Sequence, residues 1–373
     1  MCTLIVLHRC VAGRPLVVAA NRDEFFDRPA EEMALRTSRT GPILSPLDLE
    51  AGGTWLGLNQ RGVFAGLTNL RPVASESLPE SSESKGRLQP EQCLQEGSRV
   101  AQTGDDSTAP LVADPKGPNL KSRGDVVMAA LEAESASEAV RSLLKSLNLE
   151  EAAYNPFQLL VADGRDAWLI VYRDRPRAIE LEPGPHIVGN VEDERIAALL
   201  GTPDAVQNGA SEHAAGGFKE DFAGDKSGHS SGHTRAGGPT DSVEPRTLKL
   251  TRIRERVEKM VTEPGIDLFE GLARICREHI EIGKREFGKR DRDPDPKNDQ
   301  DEDPGRADEG IQSPLEATCV HIADRYGTRS SFLLELSENP DASRMWTTDG
   351  PPCEQPFENR SSLLKDLGVR LSS

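Results

Sequence analysis

Aromatic side chains make up only 4% of this sequence of 373 residues, and hydrophobic residues of all kinds only 36%. That is too few for the whole length to pack as one compact globule. No apolar run approaches the roughly 20 residues that span a bilayer. No secretory leader is expected either. No basic region precedes Leu4, and His8, Arg9 and Arg14 interrupt the apolar start. Basic charge is in deficit, with 45 Lys and Arg against 62 Asp and Glu and a formal net charge of -17. No basic stripe with interleaved aromatics is present, which argues against nucleic acid as a partner. The six cysteines, Cys2, Cys10, Cys93, Cys276, Cys319 and Cys353, show no C-x-x-C spacing. Neither a zinc site nor a dense disulfide framework is signalled, and no cofactor is expected. These absences together predict a reduced, cytoplasmic, soluble protein without integral membrane association.

The apolar residues that are present come in blocks, such as Leu4–Leu7, Leu16–Ala20, Gln158–Val161 and Phe332–Leu336, which suit a buried sheet. Thr3–Arg9 and Pro15–Ala20 predict a hairpin whose second strand ends at Asn21, and Thr54–Leu58 with Gly62–Thr68 predict another around the turn Asn59 to Gly62. Helical spacing marks Gly86–Ala101, Asp125–Leu147, Arg246–Val261 and Ile266–Ile280. Strands are further expected at Phe157–Ala162, Ala167–Tyr172 and His186–Gly189, with Thr318–Ala323 and Phe332–Leu336 as a last hairpin. Residues 202–246 and 286–313 lack core-forming side chains and are expected as disordered insertions, the second strongly charged. Strands grouped at the two ends with helices between them predict an α+β layered domain over 1–350, followed by a C-terminal tail at 351–373.

Two clusters carry chemistry. Removal of Met1 would expose the α-amine of Cys2, placing a thiol of pKa about 8.5 beside an amine of pKa about 7.7–8.0, a nucleophile and its base on one residue. The alternative is a buried strand cysteine. Asn21-Arg22-Asp23-Glu24 stands at a strand exit. Its carboxylate is suited to hold the new ammonium and its Arg22 to bind an anion, while a solvated turn is the alternative.

Met1-Cys2-Thr3, Asn21-Arg22-Asp23-Glu24, Gly52-Gly53-Thr54-Trp55-Leu56-Gly57-Leu58-Asn59, Arg61-Gly62, Asn69 and Tyr326-Gly327-Thr328-Arg329-Ser330-Ser331 together resemble the NRDE family of transport and Golgi organisation protein 2-like chains. The resemblance covers roughly residues 1–200 and 245–350. More distantly, the pattern is similar to the choloylglycine hydrolases and penicillin V acylases. Their fold implies a four-layer αββα sandwich of the N-terminal-nucleophile hydrolase type. Residue by residue, it implies Cys2 as nucleophile and Asp23 as the contact to its amine. It also implies Asn69, the N–H of Leu70 and Asn190 as oxyanion and substrate contacts. The acylases carry an Arg immediately ahead of the Asn of their Asn-x-Asp motif, where this chain has Ala20. Arg22 is not expected to replace it, because adjacent strand residues face opposite sides.

Two functions follow from the resemblance. One is a hydrolase of linear amide (C–N) bonds, or an acyl-transfer enzyme, acting on a small amide or acyl substrate. The other is a non-catalytic binding or trafficking factor for lipid, acyl-CoA or haem, whose anionic end Arg22 and Arg329 would read. Asn21, Arg22, Glu24, Trp55, Leu70 and Arg329 are the expected substrate contacts. Trp55 also fits a core position, and Arg329 a surface turn. His213, His229 and His233 in the first insertion imply no fixed metal geometry.

Overall fold

The computed structural model describes residues 2–70, 120–149, 153–191, 245–263, 265–279, 313–323 and 325–371. The helix expected at Gly86–Ala101, the cores of both insertions and Cys93 lie outside them.

Two antiparallel sheets of seven strands each form the centre. The first contains β1 (Cys2–Val11), β2 (Arg14–Phe25), β10 (Gly184–Val188), β11 (His321–Ile322), β12 (Tyr326–Leu336), β13 (Arg344–Asp349) and β14 (Glu358–Asn359). Its order is β10-β1-β2-β12-β13-β14, with β11 on β12. The second is a meander in chain order: β3 (Ala30–Thr37), β4 (Pro42–Asp48), β5 (Leu56–Asn59), β6 (Phe64–Asn69), β7 (Phe157–Ala162), β8 (Ala167–Tyr172) and β9 (Pro176–Glu180).

Side-chain alternation assigns the layers. Leu4 and Val6 of β1, Leu16, Val18 and Ala20 of β2, and Phe332 and Leu334 of β12 meet Leu44, Leu58, Phe64 and Leu169 of the second sheet in a core between the sheets. The intervening residues Ile5, Leu7, Val17, Ala19 and Leu333 face outward onto α3 (Pro245–Thr262) and α4 (Leu268–Arg277). On the far side, Ala65, Leu67, Leu159, Val161 and Ile170 cover α1 (Gly124–Ala130) and α2 (Ala136–Leu149). The architecture is therefore the α+β, four-layer αββα sandwich. Central strands buried on both faces read as apolar runs rather than alternating patterns, which is why the sequence marks them so clearly.

Local chemistry explains the joints. Asn59 Oδ1 accepts from the N–H groups of Arg61 (2.9 Å) and Val63 (3.0 Å), and Gly62 closes that turn at φ 79°, a conformation costly for residues with a Cβ. Asp267 caps α4 by accepting from Phe269 and Glu270.

Several expectations change. The helical stretch at Asp125–Leu147 breaks between α1 and α2. There Asn59 Nδ2 donates to the carbonyls of Leu131 (3.0 Å) and Ala133 (2.8 Å), and Asp163 Oδ2 accepts from Ala136 N (2.8 Å). β2 does not end at Asn21, since β12 supplies backbone partners as far as Phe25. Phe332–Leu336 pairs with β2 and β13 rather than with Thr318–Ala323, of which only His321 and Ile322 pair, further up β12. The segment read as a C-terminal tail carries β14 and α5 (Ser362–Leu367), with Leu364, Leu367 and Val369 buried in the core between the sheets. No described helix is long and apolar enough to cross a membrane.

Candidate active site at the head of the first strand

Because β10 runs antiparallel beside β1, with Leu4 opposite Val188, the residues leaving β10 arrive at Cys2. Gly189 is held there by hydrogen bonds to its carbonyl from Thr68 Oγ1 (2.7 Å) and Gln158 Nε2 (2.8 Å). A Cβ at this glycine would meet Leu250 of α3 at 2.8 Å. The following residue, Asn190, accepts from Cys2 N at 2.8 Å through Oδ1 and donates to Asn69 O at 2.7 Å through Nδ2. The second bond fixes which end of the amide faces Cys2, since a carbonyl can only accept. Cys2, Asn190 and Asn69 thus come together, Asn69 through its carbonyl. Leu70 does not offer its N–H to the site. Its amide extends the β6–β7 pairing by donating to Pro156 O at 3.0 Å, and its side chain lies in the core between the sheets.

Asp23 lies on the opposite face of β2 from Arg22, toward the helices. It is buried, its Oδ1 accepts from Thr328 Oγ1 at 2.6 Å, and its Oδ2 is 3.5 Å from Lys249 Nζ of α3. Lys249 is absent from the sequence reading. The signal was helical spacing: Arg246, Lys249, Ile253, Val257 and Met260 follow the core-facing stripe of α3, all within 9% exposure. Asn21 shares Asp23's face. Its Nδ2 donates to Cys276 O (3.0 Å) and Thr318 O (2.9 Å), and its Oδ1 accepts from Ser331 Oγ (2.8 Å). Its polar atoms join α4 to the first sheet, a correction to its expected substrate role.

Arg22 pairs directly opposite Cys2. Positions 20 and 22 share a strand face, so Arg22 occupies the same side as Ala20, contrary to the expectation that it could not. Its guanidinium is 5% exposed and stacks 4.2 Å from the centre of the Trp55 ring. Nη2 has no hydrogen-bond partner, with carboxylate oxygens of Asp48 and Glu24 at 3.6 and 4.0 Å. Burial opposes ionisation of Asp48, yet the Arg28 hydrogen bond at 2.7 Å and a backbone donor hold its carboxyl below the usual range. Glu24 is half-buried and accepts from Phe25 N at 3.0 Å.

A small cleft between the sheets is lined by Arg22, Met33, Trp55, Arg329, Thr347 and Asp349, among others. Arg329 reaches it because it is the extra residue of a β-bulge, Thr328 pairing with Asp23 and Ser330 with Arg22. Its Nη1 donates to Phe26 O. Arg22, Trp55 and Arg329 thus share this cleft, with Arg22 paired opposite Cys2.

Burial pushes the Cys2 thiol above its ordinary pKa, Asp23 and Glu24 adding to the rise while the terminal amine and then Arg22 oppose it. Burial likewise raises the Cys276 thiol, to about 12. Chemically, the site offers a thiol, a fixed amide acceptor at the Cys2 nitrogen, a buried carboxylate behind the strand and an unsatisfied guanidinium nitrogen in front of it.

Residues 1–108 match the family model described as Transport and Golgi organisation 2. The chain is 31% identical over 196 residues to the Transport and Golgi organization 2 homolog of Mus musculus, and 32% over 196 residues to that of Homo sapiens. Each match takes in 50% of this chain and 52% of the relative, so the chain spans about half the length of the curated relatives it matches. The resemblance to that family is borne out. Among solved structures, a C2A mutant of conjugated bile acid hydrolase from Clostridium perfringens is 10% identical with TM-score 0.40, covering 96% of both chains. A Caenorhabditis elegans ortholog of N-acylethanolamine-hydrolyzing acid amidase is 12% identical with TM-score 0.30, covering 52% of this chain and 73% of that one.

Proposed function

We propose that this protein is an N-terminal-cysteine amidohydrolase or acyl-transfer enzyme for a small amide or acyl substrate, acting in the cytoplasm. The observation that carries the reading is the 2.8 Å contact from Cys2 N to Asn190 Oδ1, in an amide whose other end is tied to Asn69 O. With Met1 removed, that nitrogen is an α-amine, and the same acceptor orients it. The amine takes the thiol proton as sulfur attacks the acyl carbon. It returns the proton to the leaving amine, and then activates water to cleave the thioester and regenerate the thiol. Asp23 stands behind the strand as the negative charge that favours the ammonium form.

The acyl oxygen needs a donor. Leu70 N–H and Asn190 Nδ2 are spent on protein carbonyls, so Arg22 Nη2, buried opposite Cys2 without a hydrogen-bond partner, takes that role. The deciding experiment is intact-mass measurement before and after a thiol-reactive amide or β-lactam probe, with Cys2→Ala as control. Loss of Met1 with one adduct at Cys2 is expected. Retained Met1 with an inert Cys2 would sink the proposal.

The occupied donors at Leu70 and Asn190 also favour a second reading, a binding or trafficking factor for a lipid, acyl-CoA or haem ligand. The Arg22–Trp55–Arg329 cleft would then hold its anionic end. Undiminished ligand binding by Cys2→Ala, without turnover by the unaltered protein, selects it.

A further inference from the structure

Among the described residues, His279, His321 and Cys353 each offer a ligand atom within 4.8 Å of the others. Cys319 Sγ adds a fourth, 3.4 Å from Cys353 Sγ and 3.5 Å from His321 Nε2. The His321 Nε2 to Cys353 Sγ separation is 3.1 Å. Around a tetrahedral zinc ion, ligand bonds of about 2.3 Å to sulfur and about 2.0–2.1 Å to nitrogen put S and S about 3.8 Å apart and S and N about 3.6 Å apart. The separations among Cys319, His321 and Cys353 lie within about half an ångström of that geometry, and His279 stands within 4.8 Å of His321 and Cys353.

We propose that Cys319, His321, Cys353 and His279 form a structural zinc site. Two soft thiolates and two imidazoles are the donor set of closed tetrahedral zinc sites. The outer partners agree. His321 turns Nδ1 toward Glu354 Oε1 at 3.8 Å while Nε2 faces the sulfurs. His279 places Nδ1 3.4 Å from Cys319 O, which leaves Nε2 for metal. A ligating histidine ordinarily gives its second nitrogen to a carboxylate or carbonyl in this way. Binding releases the two thiol protons, and the two thiolates balance the charge of the ion.

The position gives the site a purpose. It joins the end of α4, the start of β11 and the β13–β14 connection. Val320, between two ligands, donates its N–H to Thr328 Oγ1 at 2.9 Å, and that hydroxyl donates to Asp23 Oδ1. A metal clamp at 319–321 therefore steadies the hydroxyl that orients Asp23. Local spacing could not reveal the set, because only Cys319 and His321 are neighbours in the chain.

The test is zinc analysis of the full-length chain, purified under reducing conditions without a metal-affinity tag, with Co2+ titration of the chelated protein. About one zinc per chain is expected, with a Co2+ spectrum showing thiolate charge transfer and tetrahedral ligand-field bands. Cys319→Ser and Cys353→Ser lose the charge-transfer band in proportion to the sulfur removed, Glu354→Ala weakens zinc about 10-fold, and Cys10→Ser changes neither. Should the cysteine variants fail to fold, the titration of the unaltered chain still decides. No sulfur-to-cobalt band in that chain, or zinc retained in both cysteine variants, overturns the site. So does a Cys319–Cys353 disulfide whose reduction yields no metal uptake.

Discussion

Lys249 reaches from α3 to within 3.5 Å of the Asp23 carboxylate, and the two side chains are 4% and 0% exposed. A buried pair of this kind is costly to break from one side, since the surviving charge is left in a poor solvent for ions. Lys249→Met is therefore expected to lower unfolding free energy by about 3–5 kcal/mol. Lys249→Met with Asp23→Asn should recover a large part of that loss. Urea titrations of the two variants would check it, and equal losses in both would refute the coupling.

Cys2 should respond to pH in a direction fixed by its surroundings. Burial raises the thiol, and the terminal amine and Arg22 only partly offset the rise, so at neutral pH the sulfur is protonated more fully than an exposed thiol. The alkylation rate should still be climbing above pH about 8.5, where an ordinary cysteine begins to level off. Removing one of the opposing charges with Arg22→Met should move the profile to still higher pH. Iodoacetamide kinetics followed by intact mass, with the other cysteines replaced by Ser, measure both curves.

Asn190 is the residue whose loss separates positioning from fold. Asn190→Ala removes the acceptor at Cys2 N and the donor to Asn69 O. Acylation of Cys2 by an amide probe is expected to slow about 10²-fold as its nitrogen loses its orientation, at a stability cost of about 1–3 kcal/mol for the groups left unpartnered. An unaltered acylation rate would remove Asn190 from the mechanism.

The Arg22–Trp55 stack gives the cleft a spectroscopic reporter. A carboxylate ligand such as oleate should alter tryptophan emission, and Trp55→Phe should abolish that response. Arg22→Lys should weaken binding nearly as much as Arg22→Met, because a compact ammonium neither stacks as a planar group nor reaches as a fork. Isothermal titration of the three proteins provides the comparison.

At the other end of the chain, Leu367 is fully buried between the sheets. Leu367→Ala is expected to cost about 2–5 kcal/mol, read from denaturant midpoints. A cost near zero would restore the description of this segment as a tail.

How far the sequence could be read depended on what surrounds each element. The strands at Phe157–Ala162 and Ala167–Tyr172 were legible to the residue because both their faces are buried. β3 was not, because Glu31, Glu32 and Arg36 sit among its apolar residues at a sheet edge. β13 was missed because its Arg-Met-Trp-Thr-Thr-Asp sequence reads as polar, although its backbone pairs along β12. The polar run Asn21 to Glu24 looked like a strand end, but β12 brings partners of matching chemistry, Ser331 for Asn21 and Thr328 for Asp23. Within the site, Cys2 and Asn190 were visible through family resemblance. Lys249 and the His279, His321, Cys319 and Cys353 set were not, because tertiary packing alone brings those side chains to their partners.

The two sheets differ in how they use the chain. The second is laid down strand after strand, each pairing with the one just before it. The first lodges β2 between its earliest neighbour and β12, so that Ala20 waits for Phe332. During synthesis the meander is complete once β9 has been made and β1 has both neighbours once β10 follows, whereas β2 still waits for β12, and distant pairings form slowly. Asp23, on β2, is thus among the last groups to acquire its native setting. A chain halted anywhere before residue 326 carries the thiol without the strand that supplies Thr328, and so without the hydroxyl that orients Asp23. Assembly order alone leaves Asp23 without its hydroxyl partner until β12 has been made.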